Sequence, residues 1–372
     1  MSIPFGETGG LVRGCVDLVC GRFPLFVFGA SVGDLLPVFH FHDETRDDLE
    51  PKLRHLAENG YRTVTADEIG AFVAGTRTAN GRSVALCFDD AWASVWTTAG
   101  PLLRQYGLSA IVYAIPGRTS DAAECRPIGQ PASGSPFMTW PELRALHADG
   151  VVDVQSHTET HARVFTSTTV TGFVEPDYAS TPRLNRPRVG AEPLRFTEPE
   201  DLGAPLYEHR SRMSDGPRIT GTEAAYEACV RLVASEGGAA FFSRADARTR
   251  LRSIAADKAA ALAPESDAQH QRAIEEELDT SRSELRARLA TDRINHVCLP
   301  WGVSGQKTAA ALERLGFATA IANRLSGLHA VRRGDNPYWL KRLPNRYIER
   351  LPGRGRRWWF LARPSAGVRV GH

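Results

Sequence analysis

Short apolar runs alternating with helix-patterned stretches constrain this chain more than any other feature. Leu36–His40, Ser83–Phe88, Ala110–Ile115, Val151–Gln155, Asn295–Leu299 and Phe317–Ala322 each read as a short buried strand. Between them lie helical patterns. Leu49, Leu53 and Leu56 recur at helical spacing ahead of Gly60, a natural C-cap, and Ala99–Tyr106 runs into Gly107. Such β-α repetition predicts a parallel sheet, closed or open, with helices outside. The residues that carry chemistry fall just after the runs: His42, the pair Asp89-Asp90, His157, and the turn Pro300-Trp301-Gly302. In a β/α barrel the C-terminal ends of the strands carry the active site, and several independent segments agree on that placement.

The stretch 166–270 breaks the rhythm. Pro176, Pro182, Pro187, Pro193, Pro199, Pro205 and Pro217 recur in its first half without a period, so an extended, irregular excursion is expected there. Its second half is rich in Ala and Arg and reads as helical. Ile274, Leu278, Leu285 and Leu289 then form a helical stripe leading back to the strand before Pro300. The expected organisation is an N-terminal segment 1–33, a barrel over 34–345 interrupted by the insertion 166–270, and a C-terminal tail 346–372. The insertion sits at the rim, where it either covers the site or binds a partner, or is a passive surface element.

Composition narrows the classes. At 372 residues, 42% hydrophobic and 24% charged, the chain is that of a soluble globular protein. A formal net charge of +2 gives no basis for nucleic-acid binding. Six cysteines lie scattered without a CxxC pair, which suits reduced thiols in a cytosolic protein. No secretory signal pattern opens the chain. Arg13, Asp17, Arg22 and Pro24 interrupt residues 11–30, so no spanning helix is expected there. A cytoplasmic location is therefore expected. The ends offer the candidate peripheral contacts. The basic run Lys341–Arg357 leads to Trp358-Trp359-Phe360 and reads either as a surface for anionic lipid or glycan or as a solvated tail.

The chemistry concentrates in Phe88-Asp89-Asp90 and His157-Thr158-Glu159-Thr160-His161. Two imidazoles four residues apart and one carboxylate make a three-ligand set for a divalent metal, with a position left for water. Adjacent carboxylates after a buried strand are costly without a cation or donors nearby. Successive side chains diverge, so one of the pair can bind metal while the other faces a substrate as a base. A metal would acidify water and polarise a carbonyl, and backbone N–H groups around Trp301 would serve an oxyanion. That set points to hydrolysis of an amide or ester.

These residues carry a resemblance. The chain resembles the polysaccharide deacetylase family, carbohydrate esterase family 4, with its NodB-homology domain. Cys87-Phe88-Asp89-Asp90-Ala91 is similar to the family's T-F-D-D-G segment, which implies Asp89 as base and Asp90 as metal ligand. His157-Thr158-Glu159-Thr160-His161 matches H-[ST]-x-x-H, implying His157 and His161 as the other ligands. Cys298-Leu299-Pro300-Trp301-Gly302 resembles R-P-P-[YW]-G, a wall of the substrate groove. The resemblance covers roughly 34–165 and 271–345 and implies an irregular (β/α)7-type barrel. Two departures stand out. Cys298 replaces an arginine that orients the catalytic Asp in the family, and Ala91 replaces a glycine. No Leu-x-x-His segment follows Trp301 to supply the family's usual acid. Pro37-Val38-Phe39-His40-Phe41-His42 is instead similar to the P-V-x-x-Y-H segment of the circularly permuted subgroup, which includes poly-N-acetylglucosamine deacetylases. That implies His42 as the acid, a buried structural histidine being the other reading. The resemblance thus implies a metal-dependent deacetylase of N-acetylated sugars. Its cofactor is one divalent ion, zinc first, then cobalt, nickel or manganese. Pro300 and Trp301 would line the groove, joined by Trp92 as a sugar-stacking face or as plain core. Deacylation of small amides, lipid-linked sugars or O-acetyl esters, and non-catalytic glycan binding, are the rival readings.

Overall fold

Parallel pairing runs through the central sheet of this computed structural model, which describes residues 24–129, 134–178, 186, 188–190, 195–322 and 329–357. The N-terminal stretch to residue 23, with Cys15 and Cys20, and the aromatic end Trp358-Trp359-Phe360 lie outside them. The strands are β1 (Val38–Phe41), β2 (Arg62–Thr63), β3 (Ser83–Asp89), β4 (Ala110–Ala114) and β5 (Val152–Ser156), then β6 (Arg163–Phe173), β7 (Pro205–Ser211), β8 (Ile219–Gly221) and β9 (Leu262–Pro264), and finally β10 (His296–Cys298), β11 (Thr319–Ile321) and β12 (Leu343–Pro344). The main sheet runs β11-β10-β5-β4-β3-β1-β12, with β2 added against β3. The strands forecast from apolar runs all occur, within about two residues of the expected bounds.

One segment reaches both edges of this sheet. Leu340 exchanges backbone hydrogen bonds with Ala320 and Ala322 beside β11, while Leu343 and Pro344 pair with Phe39 and His40 of β1. The fold is therefore a curled seven-stranded β/α barrel. Side chains sort by the two-residue period of a strand. Ala85 and Cys87 of β3 face inward with Ile111, Tyr113, Cys298 and Ile321, whereas Val84, Leu86 and Phe88 pack outward with Phe39, Phe41 and Val112.

The helices begin and end on local signals. α1 (Arg46–Glu58) is capped by Thr45, whose hydroxyl accepts from the Asp48 N–H, and gives way to Gly60 at φ +67°. α2 (Ala66–Val73) has a capping box of Thr65 and Glu68. α3 (Gly100–Tyr106) ends at left-handed Gly107, and α4 (Trp140–Ala148) closes the first half. α5 (Ala224–Ser235) and α6 (Ala247–Lys258) belong to the excursion. α7 (Asp267–Leu289) buries the forecast stripe Ile274, Leu278, Leu285 and Leu289 against the barrel, and α8 (Gln306–Arg314) follows. Among the described residues no helix is long and apolar enough to cross a membrane, and the four described cysteines are free thiols.

Two regions differ from expectation. The first half of the excursion is built on an antiparallel pair, β6 with β7, under which Phe165, Val174, Leu206 and Tyr207 form their own small core. The described prolines avoid strand interiors: Pro176 follows β6, and Pro205 opens β7, where a missing N–H is tolerated. The prolines therefore punctuate the strands. The basic run from Lys341 is also part of the fold. Tyr347, Ile348 and Leu351 are buried, and Arg356 donates to the carbonyls of Phe26, Gly29 and Ala30.

Because Leu343 is fully buried where the sheet meets itself, Leu343→Ala should lower the unfolding free energy by about 2–5 kcal/mol. Urea denaturation would read this, and a change below about 1 kcal/mol would mean the closure does not depend on that packing.

Candidate active site

Strand ends deliver the key groups to one mouth of the barrel. Asp89 is the last residue of β3, and Asp90 follows it at φ +67° with Ala91 at +54°. The left-handed turn swings the two carboxylates apart. Ala91 in place of glycine costs on the order of 1 kcal/mol there. His157 follows β5, and Thr158 and His161 also have positive φ, as does Trp301 after β10. Strained, non-glycine backbone therefore gathers around one point, as it does at functional sites.

Asp90, His157 and His161 converge. Asp90 Oδ1 lies 3.4 Å from His157 Nε2 and 3.5 Å from His161 Nε2, and all three are buried. His157 Nδ1 donates to the Cys298 carbonyl at 2.6 Å, which fixes the ring with Nε2 turned toward Asp90. Trp92 Nε1 donates to Asp90 Oδ2 at 2.9 Å. One donor atom from each residue lies within 4.8 Å of the others. Two imidazoles and a carboxylate at such spacing fit a single divalent ion. Glu277 of α7 holds the connecting turn from behind, accepting from the Thr160 N–H and hydroxyl while its backbone carbonyl accepts from the Glu159 N–H.

Asp89 is held differently. Arg342 donates to Asp89 Oδ1 at 2.5 Å and to Oδ2 at 2.7 Å, a bidentate fork. Burial by itself would raise the Asp89 carboxyl, but the Arg342 guanidinium, with His157, overrides it and holds the group well below the ordinary carboxylate range. Burial likewise opposes ionisation of Asp90, and His157 and His161 overcome it. Burial keeps His161 neutral, down at about 3. His42 Nε2 lies 3.7 Å from Asp89 Oδ2 with its side chain 38% exposed. Beside it, His40 is pushed down to about 3 by burial and by Arg342.

The structure thus brings together Asp89, Asp90, His42, His157, His161, Trp92 and Trp301. Trp92 is 8% exposed and packs on Phe137 at 5.0 Å while bonding Asp90, so its placement is beside the Asp90 carboxylate. Pro300 is buried in the turn that carries Trp301. The residue missed from the sequence is Arg342. It holds the Asp89 carboxylate from the position just before β12, a strand two places from β3 in the sheet. Its signal was a single arginine just before Leu343-Pro344, hidden inside what read as the start of a basic tail.

Residues 76–183 match the family model described as polysaccharide deacetylase. The matched span holds Asp89, Asp90, His157 and His161, whereas His42, Trp301 and Arg342 fall outside it. YxkH of Bacillus subtilis, named for the same family, is 22% identical over 134 residues, 34% of this chain and 43% of that protein. The match therefore spans less than half of that relative. IcaB from Ammonifex degensii is similar at a TM-score of 0.48 and 16% identity, over 84% of this chain and 92% of that one. The BpsB deacetylase domain from Bordetella bronchiseptica is similar at 0.48 and 18% identity, over 85% and 99%.

The Asp89–Arg342 pair makes a prediction with a sign. A carboxyl depressed below its ordinary 3.8 stabilises the fold above that pH and loses the contribution as pH falls through its folded value. In Arg342→Leu the buried carboxyl is instead raised, so it destabilises where it must ionise. The variant should be about 3–5 kcal/mol less stable near neutral pH. The deficit should shrink as the solution is taken toward about pH 4. Urea unfolding across that range would show it, and a deficit independent of pH would count against this account of Asp89.

Proposed function

We propose that this protein is a metal-dependent hydrolase that removes acetyl groups from N-acetylated sugars of a glycan or glycan precursor. The observation that carries the reading is the division of labour between adjacent aspartates. Asp90 turns to the two imidazoles, and Asp89 is locked as a carboxylate by Arg342 beside them. A non-catalytic sugar-binding barrel has no use for a second, separately ionised carboxylate at the same mouth.

Asp90, His157 and His161 would hold the ion, which supplies Lewis acidity toward the acyl carbonyl and toward water. Zinc is the ion we assign first, and cobalt, nickel and manganese accept the same donors. Asp89 acts as general base. Its fixed fork to Arg342 orients the carboxylate, so the lone pair that takes the proton of the attacking water stays aimed at the mouth. The Trp301 N–H, in the left-handed turn after Pro300, is the donor we assign to the developing oxyanion. His42 stands across from Asp89 at the more open side of the mouth. As the carbon–nitrogen bond breaks it passes a proton to the leaving amine, so the sugar departs as a free amine and the acyl group as acetate.

The test is acetate release by the metal-loaded enzyme from monomeric, lipid-linked and polymeric N-acetylglucosamine, with metal content measured alongside. Asp89→Asn should keep its metal and lose activity by about 10²–10⁴-fold, whereas His157→Ala should lose the metal itself. His42→Ala should be strongly impaired on the sugar amide and far less on an activated aryl acetate, whose leaving group needs no proton. Full activity in Asp89→Asn would sink the mechanism, and turnover confined to small amides or O-acetyl esters would transfer the site to that substrate class.

A further inference from the structure

The loop from His157 to His161 is gripped from two sides by residues that touch neither imidazole. Thr158 at φ +65° and His161 at φ +55° hold left-handed backbone, which residues other than glycine keep only where their surroundings enforce it. One side of the grip is α7. Glu277 accepts from the Thr160 N–H at 2.9 Å and from the Thr160 hydroxyl, and its backbone carbonyl accepts from the Glu159 N–H at 3.0 Å. Ile274 and Leu278, on either side of Glu277 in α7, are fully buried against the barrel, so the carboxylate stands on a rigid element. The other side is the short turn Pro116–Arg118 after β4. There the Gly117 N–H donates to the Glu159 carbonyl at 3.0 Å. A Cβ at position 117 would lie 2.7 Å from that carbonyl oxygen, so only glycine lets the two backbones approach this closely. Glu159, midway between the two histidines, is thus held at both its N–H and its carbonyl. Just past the loop, the Ala162 carbonyl accepts from the Arg212 N–H at 3.0 Å.

This grip matters most for His161. The His157 ring is fixed by its bond to the Cys298 carbonyl. The Nδ1 of His161 is buried and makes no hydrogen bond among the described residues. Apart from ring packing on Trp301 at 4.9 Å and on His157 at 4.9 Å, the backbone of the loop is what aims this imidazole. An ion binds tightly where its donors already stand in place, and pays for reorganisation where they do not.

We propose that Glu277 and Gly117 are positioning residues of the metal site. Clamping the loop from opposite sides, they hold His161 ready oriented and so set the affinity for the divalent ion, with no contact to ion or substrate. This rests on the metal-hydrolase reading and adds the residues that tune its metal.

Metal binding, measured apart from turnover, tests it. The full-length protein is stripped and reloaded, zinc affinity is read by competition with a chromophoric chelator, and the cobalt(II) form is followed by its visible absorption. Glu277→Ala and Gly117→Ala should each weaken zinc binding by about 10–100-fold, and their fully loaded cobalt bands should shift from those of the wild type. Glu277→Gln keeps one acceptor oxygen and should recover part of the affinity. Glu276→Gln, at the exposed neighbouring position of α7, should bind as the wild type does. Circular dichroism at the same temperature checks that each variant is folded, and if either alanine variant fails to fold, the other and Glu277→Gln carry the comparison. Wild-type affinity and cobalt bands in the folded variants overturn the positioning role alone. A wild type that takes up no ion overturns the metal reading and this role together. Losses of metal affinity as expected, without acetate release by the loaded wild type, keep the positioning role and count against the deacetylase reading.

Discussion

A negative charge at the end of a fully buried strand is the constraint around which this molecule is arranged. Every residue of β3 is buried, and the strand finishes on Asp89. A carboxylate there is unfavourable by several kcal/mol unless a charge and hydrogen bonds meet it. Arg342 meets it with both arms of its guanidinium. That contact exists because the segment from Leu340 to Pro344 spans the gap between β11 and β1. Barrel closure and ionisation of Asp89 are one structural event, so the segment that completes the sheet also completes the candidate site.

The loop from His157 to His161 depends on a second set of contacts with a different origin. His157 is oriented by the Cys298 carbonyl and Asp90 by Trp92, and the turn is clamped by Glu277 from α7. These partners come from widely separated parts of the chain, and each satisfies a group that burial would otherwise leave unpaired. The left-handed residues Asp90, Thr158, His161 and Trp301 persist because this surrounding network over-determines them. The excursion is tied into the same wall, since β6 leaves the loop directly and lays Arg163 on Trp301. The excursion is continuous with the site, since β6 begins two residues after His161.

Much of this was legible in the chain. Apolar runs of strand length, Gly60 and Gly107 as helix ends, and the Ile274–Leu289 stripe all follow from local periodicity and capping, which need no knowledge of distant residues. Asp89, Asp90, His157 and His161 were legible for a similar reason. Each pair of chemical groups lies within one short segment, and each segment follows a strand. Arg342 was not legible, because nothing local distinguishes it from the arginines at 346, 350, 354, 356 and 357. The β6–β7 pair was also missed. Its strands are separated by a long proline-bearing stretch, and β6 is a long strand whose burial does not alternate simply.

By itself, then, the sequence determined a β/α alternation, the strand ends that carry chemistry, and the two short segments that bring Asp89, Asp90, His157 and His161 to one mouth. These are short-range facts, set by spacing along the chain. Only the tertiary structure decided which cation holds the base and where the sheet closes. It also decided what lies on the face of Trp301. Those contacts join separate segments of the chain, Asp89 with Arg342 and Arg163 with Trp301 among them, and they are chosen by which buried charges and ring faces need partners once the barrel has curled.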